Sequence, residues 1–238
     1  MKFLTAIAVL SLASSASALC TGQALDDVKK CYVDYMHAYN LTQPLAPYWT
    51  FHNVRQKWFS DQGVKVQQKV CDIGNALVKC VASHRDCMDI LTFDLGMDTD
   101  GLEDGYDYIV DLFVTEYQCS PRGLQLALKI FNCMVQCREN GGQDKQDKCK
   151  EGIIWDGLTD GICGGASDYM ECVGNVYGGC CGPEGAEFMC GTTRAGIEGT
   201  YSGCDKDHSL RQCNSSLSKN ARSHQLGRFN RALHNVAL

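Results

Sequence analysis

The 238-residue chain holds 22 basic and 28 acidic side chains, a formal net charge of −6, and 16 cysteines. An acidic excess excludes nucleic acid as a natural partner, because phosphate repels it and no counterion release is gained. Sixteen thiols argue against a reducing compartment and for an oxidising, extracellular one.

The chain begins as an export signal would. Lys2 gives a positive start, Phe3 to Ala13 an apolar run, and Ala16-Ser17-Ala18 a small-x-small cleavage pattern. Residues 1–18 therefore read as a signal peptide cut after Ala18, on a secreted protein. The rival reading, a membrane anchor, fails because the run is shorter than the ~20 residues that cross hydrocarbon. The longest later apolar stretch, Leu124 to Val135, is interrupted by Gln125, Lys129 and Asn132.

Residues 19–138 read as a first cysteine-rich helical unit. Leu25, Val28, Cys31, Tyr32, Tyr35, Met36 and Tyr39 repeat at three-and-four spacing, which predicts a helix over 25–39. Asn40-Leu41-Thr42 is an acceptor sequon for N-linked sugar. Tyr48, Trp49, Phe51, Trp58 and Phe59 follow, readable as a binding face or, preferably, as core. Only Gly63 to Val66 alternates like a strand. Val66 to Val81 is again helical in period, through Val70, Ile73, Leu77, Cys80 and Val81. Asp98, Asp100, Glu103, Asp104 and Asp107 crowd one segment. As a calcium loop it would put Gly96 where the first carboxylate belongs and Asp107 where a bidentate Glu belongs, so a solvated acidic loop accounts for it better. Ser120-Pro121 is a helix start, and Asn140-Gly141-Gly142 a stop.

Residues 139–151 read as a polar linker, with Cys149 positioned to tie it down. Residues 152–213 read as a second cysteine-rich helical unit. Within it, Tyr177-Gly-Gly-Cys-Cys-Gly182 is similar to the glycine-rich calcium loop of secreted phospholipase A2, but the His-Asp pair that chemistry needs is missing from the following segment, where only Asp207-His208 stands. Ser202-Gly203 among acids faintly resembles a glycosaminoglycan attachment site. The last 25 residues, 214–238, contain Lys219, Arg222, Arg228 and Arg231 and no acid, whereas residues 19–213 hold 17 basic and 28 acidic side chains, a net −11. Leu226, Phe229, Leu233 and Val236 lie there at helical spacing, so the tail is a basic amphipathic helix that touches a membrane or an acidic partner or, preferably, a flexible terminus with nascent helix that folds back on the acidic body. Asn214-Ser215-Ser216 is a second sequon.

All sixteen cysteines lie after the cut: Cys20, Cys31, Cys71, Cys80, Cys87, Cys119, Cys133, Cys137, Cys149, Cys163, Cys172, Cys180, Cys181, Cys190, Cys204 and Cys213. An even number suits eight disulfides, with connectivity left open among about two million pairings. No C-x2-C pair exists, so zinc is not expected, nor any other metal or cofactor. Cys71-x8-Cys80-x6-Cys87 is echoed by Cys163-x8-Cys172-x7-Cys180, a weak internal repeat. There is no G-x-S-x-G and no H-E-x-x-H, and the six histidines stand singly, so no catalytic residue is assigned.

The order Cys20-x10-Cys31, a long gap, Cys71-x8-Cys80-x6-Cys87, then Asp111-x-Phe113-x3-Tyr117-x-Cys119 resembles the nematode secreted helical domains called domain of unknown function 19, over the first half of the mature chain. That resemblance implies a secreted all-helical fold and supplies no catalytic residues. The sequence thus predicts an all-α, disulfide-rich protein that binds an extracellular protein or a small apolar ligand. The alternatives are a secreted lipid-acting hydrolase and a glycosylated extracellular-matrix component.

Overall fold

The structure, a computed structural model, describes residues 20–150 and 161–213 apart from 98, 100, 202, 207–209 and 211. The signal segment, Asp98, Asp100, Ser202, Asp207-His208, Asn214 and the tail lie outside the described residues. Among those described there is no strand, and the chain is an all-α, disulfide-rich assembly.

Helix α1 (Gly22–Ala38) buries Val28, Cys31, Tyr32, Tyr35 and Met36, the face its spacing predicts. It ends in a left-handed turn at Asn40 (φ 60°). Helix α2 (Tyr48–Gln62) follows, and a 3-10 turn over Gly63–Val66, the stretch with strand-like alternation, leads into α3 (Gln67–Cys80). A second 3-10 turn (Val81–Cys87) and a π-turn (Thr92–Gly96) precede α4 (Leu102–Gln118). Helix α5 (Pro121–Cys137) opens as its sequence dictates: the Ser120 hydroxyl accepts the Gly123 N–H at 3.1 Å, and Pro121 occupies the first turn. A π-turn (Arg138–Gly142), with Gly141 at φ 84°, carries the chain into α6, whose described part is 143–150. Helix α7 (Gly161–Thr200) bends at Gly182 (φ 72°) and Pro183 into two arms, and α8 (Gly203–Lys206) follows.

All sixteen cysteines are paired. Three bridges fall within the first half: Cys20–Cys87, Cys31–Cys80 and Cys71–Cys119. Five fall after it: Cys133–Cys181, Cys137–Cys180, Cys149–Cys172, Cys163–Cys204 and Cys190–Cys213. The weak repeat in the sequence has a counterpart here. Number the six cysteines of the first half in order, and the pairing is 1–5, 2–4, 3–6. Number Cys137, Cys149, Cys163, Cys172, Cys180 and Cys204 likewise, and the pairing is again 1–5, 2–4, 3–6. Six thiols allow about 15 pairings, so a shared one is informative. The wiring matches α6 to α1, the first arm of α7 to α3, and the second arm to α4. Cys133–Cys181 and Cys190–Cys213 are additions of the second half.

The covalent division thus falls between Cys119 and Cys133, not in the polar stretch 139–151. Cys133 and Cys137, one turn apart on α5, both reach across to the neighbours Cys181 and Cys180, so α5 is bonded to α7. The polar stretch itself turns and becomes α6, with Cys149 buried and tied to Cys172. The two halves pack closely. Gly191 and Gly199 of α7 lie against the Tyr117 and Phe113 rings of α4, near enough that an added Cβ would fall 2.2 and 2.0 Å from ring atoms.

Candidate binding groove

Among the described residues helix α2 has no counterpart in the second half, and only 13 residues separate Cys149 from Cys163 against the 39 between Cys31 and Cys71. It buries one residue, Phe51, and is otherwise held by discrete ties. Phe51 enters a core of rings with Tyr35, Tyr39 and Tyr108 at centroid distances of 5.4, 5.1 and 5.9 Å. The Asp104 carboxylate accepts the Tyr48 N–H at 3.0 and 3.1 Å, at the start of α2, where a negative charge suits the helix dipole. Trp58 packs on the Tyr39 ring at 4.8 Å and takes the Lys69 amine over its face at 4.0 Å.

The strongest tie is buried. Arg55 makes a two-pronged ion pair with Asp111 of α4, while the Tyr48 hydroxyl donates to the same carboxylate at 3.3 Å and the Tyr35 hydroxyl lies at 3.5 Å. The guanidinium also lies over the Phe51 ring. Burial, with Asp111 next, raises the pKa of both tyrosines well above its ordinary value, so both hydroxyls stay protonated and can donate. Every oxygen of Asp111 is occupied, and the cluster is a knot joining α1, α2 and α4.

Tied this way, α2 turns a remaining face toward α5. Gln56, Phe59, Ser60 and Gly63 stand opposite Phe131, Asn132, Val135, Gln136, Arg138 and Glu139 across a groove of about 710 Å³. Phe59 and Phe131 approach to 5.9 Å between ring centroids. Through their shared residues the groove opens into a recess of about 190 Å³, reaching Gln67, Gln118, Ala127, Ile130, Met134 and Phe188. Rings and aliphatic side chains form the floor, and carboxamides dominate the polar lining. Among the described residues Arg138 and Glu139 are its only charged groups, one of each sign. The lining has no histidine and no thiol. Such a surface offers apolar area to bury and amides that donate and accept together.

The structure divides the aromatic cluster read from the sequence. Phe51 is core, Tyr48 and Trp58 are half-buried, Phe59 faces the groove and Trp49 is 69% exposed. His52 stacks on Trp49 at 5.6 Å. Its Nδ1 is buried without a hydrogen-bond partner, and burial, then Arg55, lowers its pKa. Asn40 and Thr42 of the first sequon are both exposed in the turn after α1. Asp107, the last ligand in the calcium-loop reading, lies inside α4, and no metal-ligating group of three or more His, Cys, Asp or Glu side chains occurs among the described residues. The glycine-rich segment similar to a phospholipase loop is helical through Cys181, and both its cysteines are bridged to α5. No helix among the described residues is long and apolar enough to cross a membrane.

Sequence reasoning missed the groove and the Arg55–Asp111 knot. The spacing Gln56, Phe59, Ser60 was the available signal, one face of a helix whose other ties are far away in sequence. No protein-family model, curated protein or solved structure matches this chain.

Proposed function

We propose that this is a secreted binding protein whose groove between α2 and α5 captures an uncharged, largely apolar ligand: a small molecule, or an apolar segment of another extracellular protein. One observation carries the reading. An aromatic-floored, carboxamide-lined groove is walled on one side by α5, which two bridges anchor to α7, and on the other by α2, which a buried ion pair anchors to α4. Walls fixed in this way lose little freedom when a ligand enters, so more of the contact energy appears as affinity. Export through the segment 1–18 supplies the oxidising space the bridges need. The exposed turn at Asn40 offers an accessible site for a glycan.

The reading is tested with a neutral apolar fluorophore, N-phenyl-1-naphthylamine, titrated into the purified, oxidised protein. Saturable one-to-one binding is expected. Val135→Trp fills the groove from a half-exposed position without touching the buried core, and should weaken binding by about tenfold or more. Absence of saturable binding, or equal binding by the Val135→Trp protein with unchanged helix content, contradicts the reading.

A further inference from the structure

The end of the first unit away from the groove is both apolar and acidic. Leu91 and Leu95, one turn apart, and Leu102, at the start of α4, are 48, 64 and 56% exposed, three of the most exposed large apolar side chains described. These segments are joined. The Thr99 hydroxyl donates to the carbonyls of Phe93 and Gly101 at 3.2 and 3.3 Å, and a Cβ on Gly105 would lie 3.4 Å from the Asp94 nitrogen. Beside them in the chain stand Asp94 and Glu103. Among the described residues neither has a basic side chain within 4.0 Å. The field is felt locally: burial, then Glu103 and Asp104, pushes the Asp107 carboxyl up to about 6, against a smaller opposing effect from Lys150. Lys29 lines a recess with Met97.

The segment after Cys213 has the complementary chemistry. It contains four basic residues, no acid, and Leu226, Phe229, Leu233 and Val236 at the spacing of one helix face. Its starting point is fixed, since Cys213 is bonded to Cys190. From Cys190 the second arm of α7 runs along α4 toward its acidic end, with Gly191 at Tyr117, Gly199 at Phe113 and Gly196 at Val110. Those ten residues span about 15 Å. Residues 214–225, if extended, reach about 40 Å, enough to deliver the apolar stripe there.

We infer that the tail docks on this patch, the apolar stripe of residues 226–236 on Leu91, Leu95 and Leu102 and its arginines facing Asp94 and Glu103. The body thereby covers its own exposed apolar surface, and the tail neutralises part of its charge.

Hydrogen exchange on the full mature chain tests this. Amides of 226–236 and of 91–96 should exchange about tenfold more slowly than in a free tail peptide and in a chain ending at Cys213, respectively. The surface variant Leu95→Asp and the tail variant Phe229→Asp should each abolish both protections, as should about 0.5 M salt in part. Three results overturn the inference: tail amides exchanging as in the free peptide; protection unaffected by Leu95→Asp, which places the tail elsewhere; or protection appearing only with phosphatidylserine vesicles, which makes a membrane the occupant.

Discussion

Arg55 of α2 closes a two-pronged ion pair onto Asp111 of α4, 56 residues away, inside a ring of tyrosines. The arginine side chain is 12% exposed and the aspartate 5%. Removing one partner leaves the other charge buried alone. Arg55→Met should therefore cost about 3–5 kcal/mol, and Asp111→Leu a similar amount. The double variant should recover much of the loss, because paired apolar groups carry no desolvation penalty. Denaturant melts of the four proteins form the cycle. Additive losses would show that the two residues act separately.

Glycines separate sites of close approach from sites of free space. A Cβ on Gly123 would lie 2.0 Å from the Tyr117 carbonyl oxygen and 2.9 Å from the Gln118 Cα, both backbone atoms that cannot swing aside. Gly123→Ala should destabilise by about 1–3 kcal/mol. Gly179, inside α7, has nothing within 4 Å, so Gly179→Ala should gain about 0.5–1 kcal/mol from helix propensity. Thermal melts should move in opposite directions. Movement in the same direction would contradict the packing described for α5 and α7.

Much of this was legible in sequence where one face of a helix repeats. Helices α1, α3 and α5 carry cysteines and apolar residues at three-and-four spacing, and the Ser120-Pro121 start is local chemistry. Helix α2 was illegible because it buries only Phe51 and depends on Asp104 and Asp111, which lie far along the chain. The glycine-dense α7 lies in the stretch read as a second helical unit, although glycine is a poor helix former. It forms helix because its small residues let α4 come close and because bridges hold it at Cys163, Cys172, Cys180, Cys181 and Cys190. The groove arises only where α2 and α5 meet, so no single stretch of sequence announces it.

His52 gives a pH signature. Its folded pKa is lowered, by burial first and the Arg55 charge second. Above the unfolded value of about 6.5 both states are neutral and the residue has no pH effect. Below it the unfolded chain takes up the proton first, so stability falls as pH drops from about 6.5 toward the folded pKa, then levels off. His52→Gln should flatten that part of the stability curve, by less than about 1 kcal/mol since the ring is only half-buried. An unchanged slope between about pH 6.5 and 5 would assign the effect to other groups.

Glycan attachment at Asn40 is checked on protein exported from a eukaryotic cell. Peptide mass after enzymatic deglycosylation should show Asn40 converted to aspartate. Thr42→Ala should abolish the conversion while leaving the fold unchanged, because Asn40 and Thr42 are exposed. Unmodified Asn40 in exported protein would contradict the assignment.

The central claim is that two halves share one disulfide order and that α5 is bonded to the second. Non-reducing digestion with mass spectrometry of the linked peptides measures it directly. The account predicts Cys20–Cys87, Cys31–Cys80 and Cys71–Cys119, echoed by Cys137–Cys180, Cys149–Cys172 and Cys163–Cys204, with no accessible thiol. A bridge joining any cysteine up to Cys119 with any from Cys133 onward, or a set of free thiols, would contradict it.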